Sequence, residues 1–299
     1  MSLPRILILG AGGQLGRHVQ DALADRPVAA LDRQACDVGD ERQLAHGLAT
    51  AAPDIVINCA AYTRVDDAET DRAAAERINA RGPGLLAALC ADRELPLIHI
   101  STDYVFGGVP PRDEHLGYAA TDDPHPLNYY GATKLAGEIA IRAALDRHWI
   151  IRTSWLFSGL GSNFARTILR LAGERPELRI VHDQLGTPTW AGDLATACAA
   201  LADAIGCGAP PAPGTYHFAG VPAVSWYAFA GAIVDAALAA GRLQRRPAIV
   251  PITSVELARP APRPADSRLD AGEFPAALGL TAASWRNGLA AMLALPVAA

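Results

Sequence analysis

The chain has 299 residues, 51% of them apolar and 19% charged, a composition that folds around one large core or two ordinary ones. A net charge of −5, with the arginines scattered rather than clustered, argues against nucleic acid as a partner. Cys36, Cys59, Cys90, Cys198 and Cys207 form no CxxC pair and no ligand-spaced cluster. With an N-terminus that lacks signal-peptide architecture and no apolar stretch long enough to span a membrane, they lead to the expectation of reduced thiols in a cytoplasmic protein.

Residues 5–9 form a short apolar run that ends in Gly10-Ala11-Gly12-Gly13-Gln14-Leu15-Gly16, and a helical pattern carrying Leu15, Val19, Ala22 and Leu23 follows. Strand, glycine loop and helix in that order predict a dinucleotide site, because glycine lets a diphosphate approach the backbone and rest on the helix N-terminus. A second run, Val28–Leu31, leads to Asp32 and Arg33. An acidic residue there would bind the ribose 2′-hydroxyl of NAD and an arginine the 2′-phosphate of NADP, so NADH and NADPH both stay open. Asp37 and Val38 are placed in a loop beneath the adenine.

Residues 54–58 make the third strand, and the small residues of Cys59-Ala60-Ala61-Tyr62 fit close approach of a cofactor or tight helix packing equally well. A polar helix is predicted from Val65 to about Asn79 and another over 84–93. The fourth strand, 97–100, runs into Ser101-Thr102-Asp103-Tyr104-Val105-Phe106. Ligands of doubly wound sheets lie beyond the carboxyl ends of the strands, which puts Ser101 and Thr102 next to the site. Residues 107–126 form a long loop rich in Pro, Gly and Asp that could lie over a substrate.

A helix starting near Tyr129 carries Tyr130 and Lys134, and the fifth strand is 149–152. Lys134 is the only lysine among 26 basic residues, so it is expected to do something arginine cannot. Positions i and i+4 share a helix face, so Tyr130 and Lys134 can reach one ligand, whereas Tyr129 is off that spacing and packs.

Beyond Thr153 the pattern changes to helices at about 161–173, 191–205, 225–240 and 281–294, joined by turn-rich pieces. The expected fold is α/β, a Rossmann-type doubly wound parallel sheet with a smaller mixed α/β substrate domain at the C-terminus. Residues 1–152 would form the dinucleotide-binding domain and 153–299 mainly the substrate-binding domain, with at least one segment returning to the sheet.

Gly10-x-x-Gly13-x-x-Gly16, Ser101 through Phe106 and Tyr130-x-x-x-Lys134 together resemble the extended short-chain dehydrogenase/reductase superfamily. More narrowly, the chain resembles the dTDP-4-dehydrorhamnose reductase family. That likeness is carried by Asn58 through Thr63 with Val65-Asp66, Asn128 through Glu138, Arg152 through Phe157, Asn163-Phe164, Asp183 through Thr189, Arg263-Pro264 and Ser267 through Asp270.

The resemblance implies hydride transfer from NADPH or NADH to carbon 4 of a dTDP-linked keto sugar. It makes Tyr130 the proton donor, Thr102 the residue that fixes the sugar carbonyl, with Ser101 as the fallback, and Lys134 the anchor of the nicotinamide ribose. Lys134 is also expected to lower the Tyr130 pKa from about 10 to about 7, which takes about 4 kcal/mol and is within reach of one ammonium about 4 Å away. Cofactor contacts are expected from Gly10, Gly12, Gly13, Gln14, Leu15, Gly16, Asp32, Arg33, Asp37, Val38, Ala60, Ala61, Tyr62, Tyr130 and Lys134. Substrate contacts are expected from Thr63, Thr102, Tyr104, Tyr130, Trp155, Asn163 and Thr189.

Two positions depart from the family. Where some members bridge a dimer with a carboxylate-held metal, this chain has Arg17 and His18, so no metal is expected and a homodimer is left open. Gly107 stands where an acidic residue often follows the Val-Phe pair. A cofactor-binding regulatory subunit of the same fold, or a nucleotide-sugar epimerase or dehydratase, remains an alternative.

Overall fold

The structure, a computed structural model, describes residues 3–113 and 116–295. Strand β1 (Ile6–Leu9) is buried at all four positions, as a strand covered on both faces must be. It turns through the glycine loop into α1 (Gln14–Ala22). Then β2 (Val28–Leu31), α2 (Glu41–Ala51), β3 (Ile55–Asn58), α3 (Arg72–Glu76), α4 (Gly82–Ala91), β4 (Leu97–Thr102), α5 (Tyr129–Ala144) and β5 (His148–Thr153) alternate along the chain. The second half contributes β6 (Leu156–Phe157), α6 (Phe164–Glu174), β7 (Glu177–Val181), β8 (Leu185–Gly186), β9 (Thr189–Trp190), α7 (Ala191–Gly206) and β10 (Gly214–His217). It closes with β11 (Val224–Ser225), α8 (Trp226–Ala239), β12 (Ala248–Ile252), α9 (Ser254–Leu257), α10 (Glu273–Ala277) and α11 (Trp285–Ala294).

The central sheet has six parallel strands in the order β10-β5-β4-β3-β1-β2. This is the expected α/β, Rossmann-type architecture. On one face, α1 and α7 bury Leu15, Val19, Leu194, Leu201 and Ile205. On the other, α2, α4 and α5 bury Leu44, Leu48, Leu86 and Ile141. The strand order reverses between β1 and β3, so the connections leaving those two strands diverge and open a crevice at their carboxyl ends. A separate apolar cluster, with Ile168, Phe229, Ile233, Trp285 and Leu289, joins α6, α8 and α11 beside β7 and β9.

Two expectations need correction. The polar helix predicted from Val65 and the helix over 84–93 are one continuous rod from Arg72 to Ala91, with a π-turn at Arg77–Arg81 at its middle. Pro83 explains the break in pattern, since it has no N–H to offer the carbonyl four residues back and the helix widens by one residue to accommodate it. The described residues of the loop 107–126 do not line the cleft, contrary to the expectation that the loop could lie over a substrate. Tyr118 instead stacks on Phe106 at 4.3 Å and exchanges backbone hydrogen bonds with Arg268 and Asp270, which ties the loop to the C-terminal segment.

Candidate active site

One cavity of about 970 Å³ follows the crevice from the glycine loop, past the ends of β3 and β4, to the aromatic residues of the second half. The turn at Gly10 has φ +74, and a Cβ there would sit 2.6 Å from the Ala60 amide nitrogen, so the loops after β1 and β3 touch through a glycine. Helix α1 begins at Gly13 with no side-chain cap, which leaves its first-turn N–H groups free to take an anion. These features fit the diphosphate of a dinucleotide.

Gly10, Gly12, Gly13, Gln14, Leu15, Asp32, Arg33, Asp37, Val38, Ala60, Ala61 and Tyr62 all line the cavity. Gly16 does not. It packs under the loop, where a Cβ would lie 2.3 Å from the Gly10 carbonyl oxygen. Asp32 Oδ1 accepts the Gln34 and Ala35 amides at 2.9 and 3.0 Å and shapes the turn, while Arg33 is exposed beside it. Asp37 is held by Arg77 at 2.9 Å and by the Gly39 amide. Burial alone would raise its pKa, but these hydrogen bonds keep it below the usual carboxylate value.

At the far end of β4, Thr102, Tyr130 and Lys134 converge on the same cavity. Helix α5 is capped by Asn128, whose Oδ1 accepts the Gly131 amide at 2.8 Å and whose Nδ2 donates to the Pro262 carbonyl. Gly131 lets the first turn press on the chain after β4, since a Cβ there would sit 2.0 Å from the Tyr104 carbonyl oxygen. That approach sets the Tyr130 ring edge-on to Tyr104 at 5.9 Å and brings its hydroxyl beside that of Thr102. Ser101, the fallback, is turned away: its hydroxyl donates to Glu138 at 2.6 Å.

The electrostatics correct one expectation. Burial pushes the Tyr130 phenol up to about 12, with the Asp103 carboxyl adding to the rise, and it pushes Lys134 down to about 8. Lys134 Nζ donates to the Ile100 carbonyl at 2.7 Å and stands 3.3 Å from His99 Nε2, and burial rather than the expected lowering by Lys134 sets the direction of the Tyr130 shift. Asp103 is itself pushed up to about 7 by burial, with Oδ2 unpartnered. Beneath the site, Glu138 receives Arg152 at 2.7 and 3.0 Å together with Ser101 and Arg142. Burial would raise it, and these donors hold it below the usual carboxylate range.

Thr63, Tyr104, Trp155 and Asn163 line the rest of the cavity, while Thr189 lies fully buried outside it, accepting the Gly220 amide at 3.3 Å. The Asn163 amide caps α6 and donates to Gln14 Oε1 at 2.7 Å, so it locks the two halves together across the cleft. Trp155 has a left-handed backbone, φ +45, a strained choice for a bulky residue. Its indole stacks on Trp226 at 3.4 Å and lies over Gly186, where a Cβ would meet the ring at 2.3 Å.

Trp226, Arg77, Thr153 and Asp103 belong to the cavity wall and were not anticipated from the sequence. The buried His99 and Asn58 behind it were also missed; their signal was a polar side chain inside an otherwise apolar strand. At the departures from the family pattern, Arg17 donates to the Gly12 carbonyl at 3.2 Å and His18 packs edge-on against Trp190 at 5.1 Å. Among the described residues no group of three or more His, Cys, Asp or Glu side chains is placed to hold a metal ion, and no helix is long and apolar enough to cross a membrane.

Comparison with known proteins agrees with this geometry. The sequence model of the RmlD substrate binding domain family matches residues 4–296. The dTDP-4-dehydrorhamnose reductase of Aggregatibacter actinomycetemcomitans is 39% identical over 290 residues, covering 96% of this chain and 97% of the relative. That of Mycobacterium tuberculosis H37Rv is 40% identical over 304 residues, covering 98% and 93%. A crystal structure of the dTDP-4-dehydrorhamnose reductase from Bacillus anthracis in complex with NADP superposes with a TM-score of 0.87 at 34% identity, covering 97% of this chain and 98% of that one. The chain belongs to the RmlD substrate binding domain family, the family it shares with these dTDP-4-dehydrorhamnose reductases.

Proposed function

We propose that the protein reduces the 4-keto group of dTDP-4-dehydro-L-rhamnose to give dTDP-L-rhamnose, with NADPH or NADH as reductant. The observation that carries this reading is the convergence of Thr102, Tyr130 and Lys134 on a cleft whose other end fits a dinucleotide diphosphate, in a chain of the reductase family. The bound reduced nicotinamide supplies a hydride.

Tyr130 gives the proton. A phenol pushed up to about 12 is fully protonated at neutral pH, and it still donates downhill to a developing alkoxide, a far stronger base than a phenolate. Thr102, which donates to Asp103 at 3.0 Å and lies beside Tyr130, fixes the sugar oxygen at the proton donor. Lys134 anchors the nicotinamide ribose. The glycine loop with Gln14 and Leu15 carries the diphosphate; Asp32 and Arg33 face the adenosine ribose; Asp37 and Val38 lie under the adenine; and Ala60, Ala61 and Tyr62 form the wall after β3. Thr63, Tyr104, Trp155 and Asn163 border the sugar nucleotide. In this reading residues 1–152 bind the cofactor and 153–299 mainly the substrate. A cytoplasmic setting, in which the five free cysteines stay reduced, belongs with it.

The test is turnover. Protein mixed with NADPH and dTDP-4-dehydro-L-rhamnose is expected to consume the reduced nicotinamide and yield dTDP-L-rhamnose. Unchanged absorbance, in a preparation that binds NADPH, would instead mark a cofactor-binding protein without this activity.

A further inference from the structure

Val65-Asp66 and Arg263-Pro264, two pairs set far apart in the sequence, meet in the fold. Between α9 and α10 the chain runs through Arg259-Pro260-Ala261-Pro262-Arg263-Pro264, where prolines at alternate positions fix φ and remove N–H donors. This stiff strap lies against the loops after β3 and β4 and against the start of α5.

Each point of attachment is a distinct contact. Asp66, in the loop after β3, accepts the Ala261 amide at 3.3 Å and pairs with Arg263 at 2.9 Å and with Arg259 at 3.3 Å. Burial alone would raise the Asp66 pKa, but these donors hold it below the usual carboxylate value. The Pro262 carbonyl accepts Asn128 Nδ2, from the cap of α5, at 3.0 Å. Gly107, after β4, has φ +119, and a Cβ there would sit 2.7 Å from the Pro264 side chain, so the strap closes on a position that suits glycine.

Arg263 approaches the cleft without lining it. Its guanidinium donates to the Ala261 carbonyl at 2.6 Å, pairs with Asp66, and stands 6.0 Å from the centre of the Tyr104 ring. Tyr104 does line the cavity, and its ring meets Tyr130 edge-on at 5.9 Å. The Arg263 side chain is only 15% exposed, so little solvent screens its attraction to the aromatic ring. The same charge opposes the rise that burial imposes on the Tyr104 phenol.

We propose that Arg263, with its guanidinium fixed by Asp66, is a positioning residue for the sugar-nucleotide site: it acts through Tyr104, whose ring it holds at the wall of the cleft. That Tyr104 borders the sugar nucleotide comes from the reductase reading; its pairing with Arg263 stands without it. A planar guanidinium bonds Asp66 and Ala261 and still presents charge to a ring, whereas lysine would keep the charge at a single point.

Kinetics of the whole protein with NADPH and dTDP-4-dehydro-L-rhamnose separate this role from one in the chemistry or the fold. Arg263→Ala is expected to raise KM for the sugar nucleotide about threefold to tenfold, with kcat and the NADPH dissociation constant kept within about twofold. Arg263→Lys is expected to recover part of that loss. Asp66→Asn, which keeps an acceptor for the Ala261 amide but removes the charge, is expected to give a smaller rise. In a Tyr104→Leu background, which lacks the ring, Arg263→Ala is expected to change KM by less than about twofold. A KM raised equally in both backgrounds, a KM unchanged by Arg263→Ala, or a fall in kcat in its place would overturn the proposal.

A second readout needs no turnover. With 3-fluorotyrosine in place of tyrosine, the Tyr104 fluorine resonance, identified by its absence in Tyr104→Phe, is expected to shift in Arg263→Ala and Asp66→Asn, and less in Arg263→Lys. A resonance unmoved in variants that still bind NADPH would overturn the pairing whatever the activity. A shifted resonance in a protein inactive toward the sugar nucleotide would keep the pairing and reject the reductase reading.

Discussion

The two ends of the cleft are built by different means. The cofactor end is made of backbone: a glycine loop, an uncapped helix N-terminus and small residues after β3, all close in sequence to the strands that place them. The end proposed to take the sugar nucleotide is made of large side chains from distant segments. Trp155 is held in a strained conformation by Trp226, which is oriented by Gln184 at 3.1 Å, itself bonded to Ser254 at 2.8 Å. A site made of backbone tolerates side-chain substitution except where a Cβ cannot fit, whereas one made of interlocked side chains transmits any single loss to its neighbours. Thr102, Tyr130 and Lys134 sit between the two.

Four substitutions test this division, taken in order of decreasing effect. Tyr130→Phe is expected to lower kcat by about 10²–10⁴ with NADPH binding kept within about twofold, because the hydroxyl serves the chemistry while the ring only packs on Tyr104. A parallel loss of NADPH affinity, measured by fluorescence titration, would place the residue in the cofactor end instead.

Asp103→Asn addresses the pH dependence of the reacting centre. Burial pushes the carboxyl up to about 7 in the folded protein from an ordinary 3.8, so the folded state binds the proton more tightly and stability is lost as pH rises between those values. Removing the charge is expected to abolish that slope and leave the variant more stable than the parent at pH 8 by about 1–3 kcal/mol in urea unfolding. An unchanged slope would mean the carboxyl is not held protonated.

Trp226→Ala removes the support under Trp155. The expected result is a rise of about tenfold in KM for the sugar nucleotide, equivalent to about 1.4 kcal/mol, with the NADPH dissociation constant unchanged. Equal effects on both ligands would erase the distinction between the two ends. Arg33→Ala is the mildest: the ratio of NADPH to NADH efficiency is expected to fall several-fold, since Arg33 lines the cavity beside Asp32. A constant ratio would show that Arg33 does not read the ribose.

The same division explains what could be read from sequence. The parallel sheet, the glycine loop and the Tyr130–Lys134 face are local patterns, and their positions follow from strand–loop–helix order. The joined helix Arg72–Ala91 was not legible, because Pro83 is an ordinary break signal and only the π-turn lets the rod continue through it. Trp226 gave no cue either, since an aromatic at the start of an apolar helix reads as core. Its exposure to the cleft depends on Trp155, 71 residues earlier in the chain. The direction of the pKa shifts was missed for a physical reason. Spacing places two groups on one face but says nothing of desolvation, which here outweighs any pairing of Tyr130 with Lys134.

In the proposed reaction hydride reaches carbon 4 of the sugar while Tyr130 supplies the proton. Reduction of dTDP-4-dehydro-L-rhamnose with NADPH deuterated at the transferable position tests it most directly. The parent protein is expected to form dTDP-L-rhamnose carrying deuterium at carbon 4 of the sugar, and Tyr130→Phe almost none in the same time. Deuterium at another carbon, or equal product from both proteins, would contradict it.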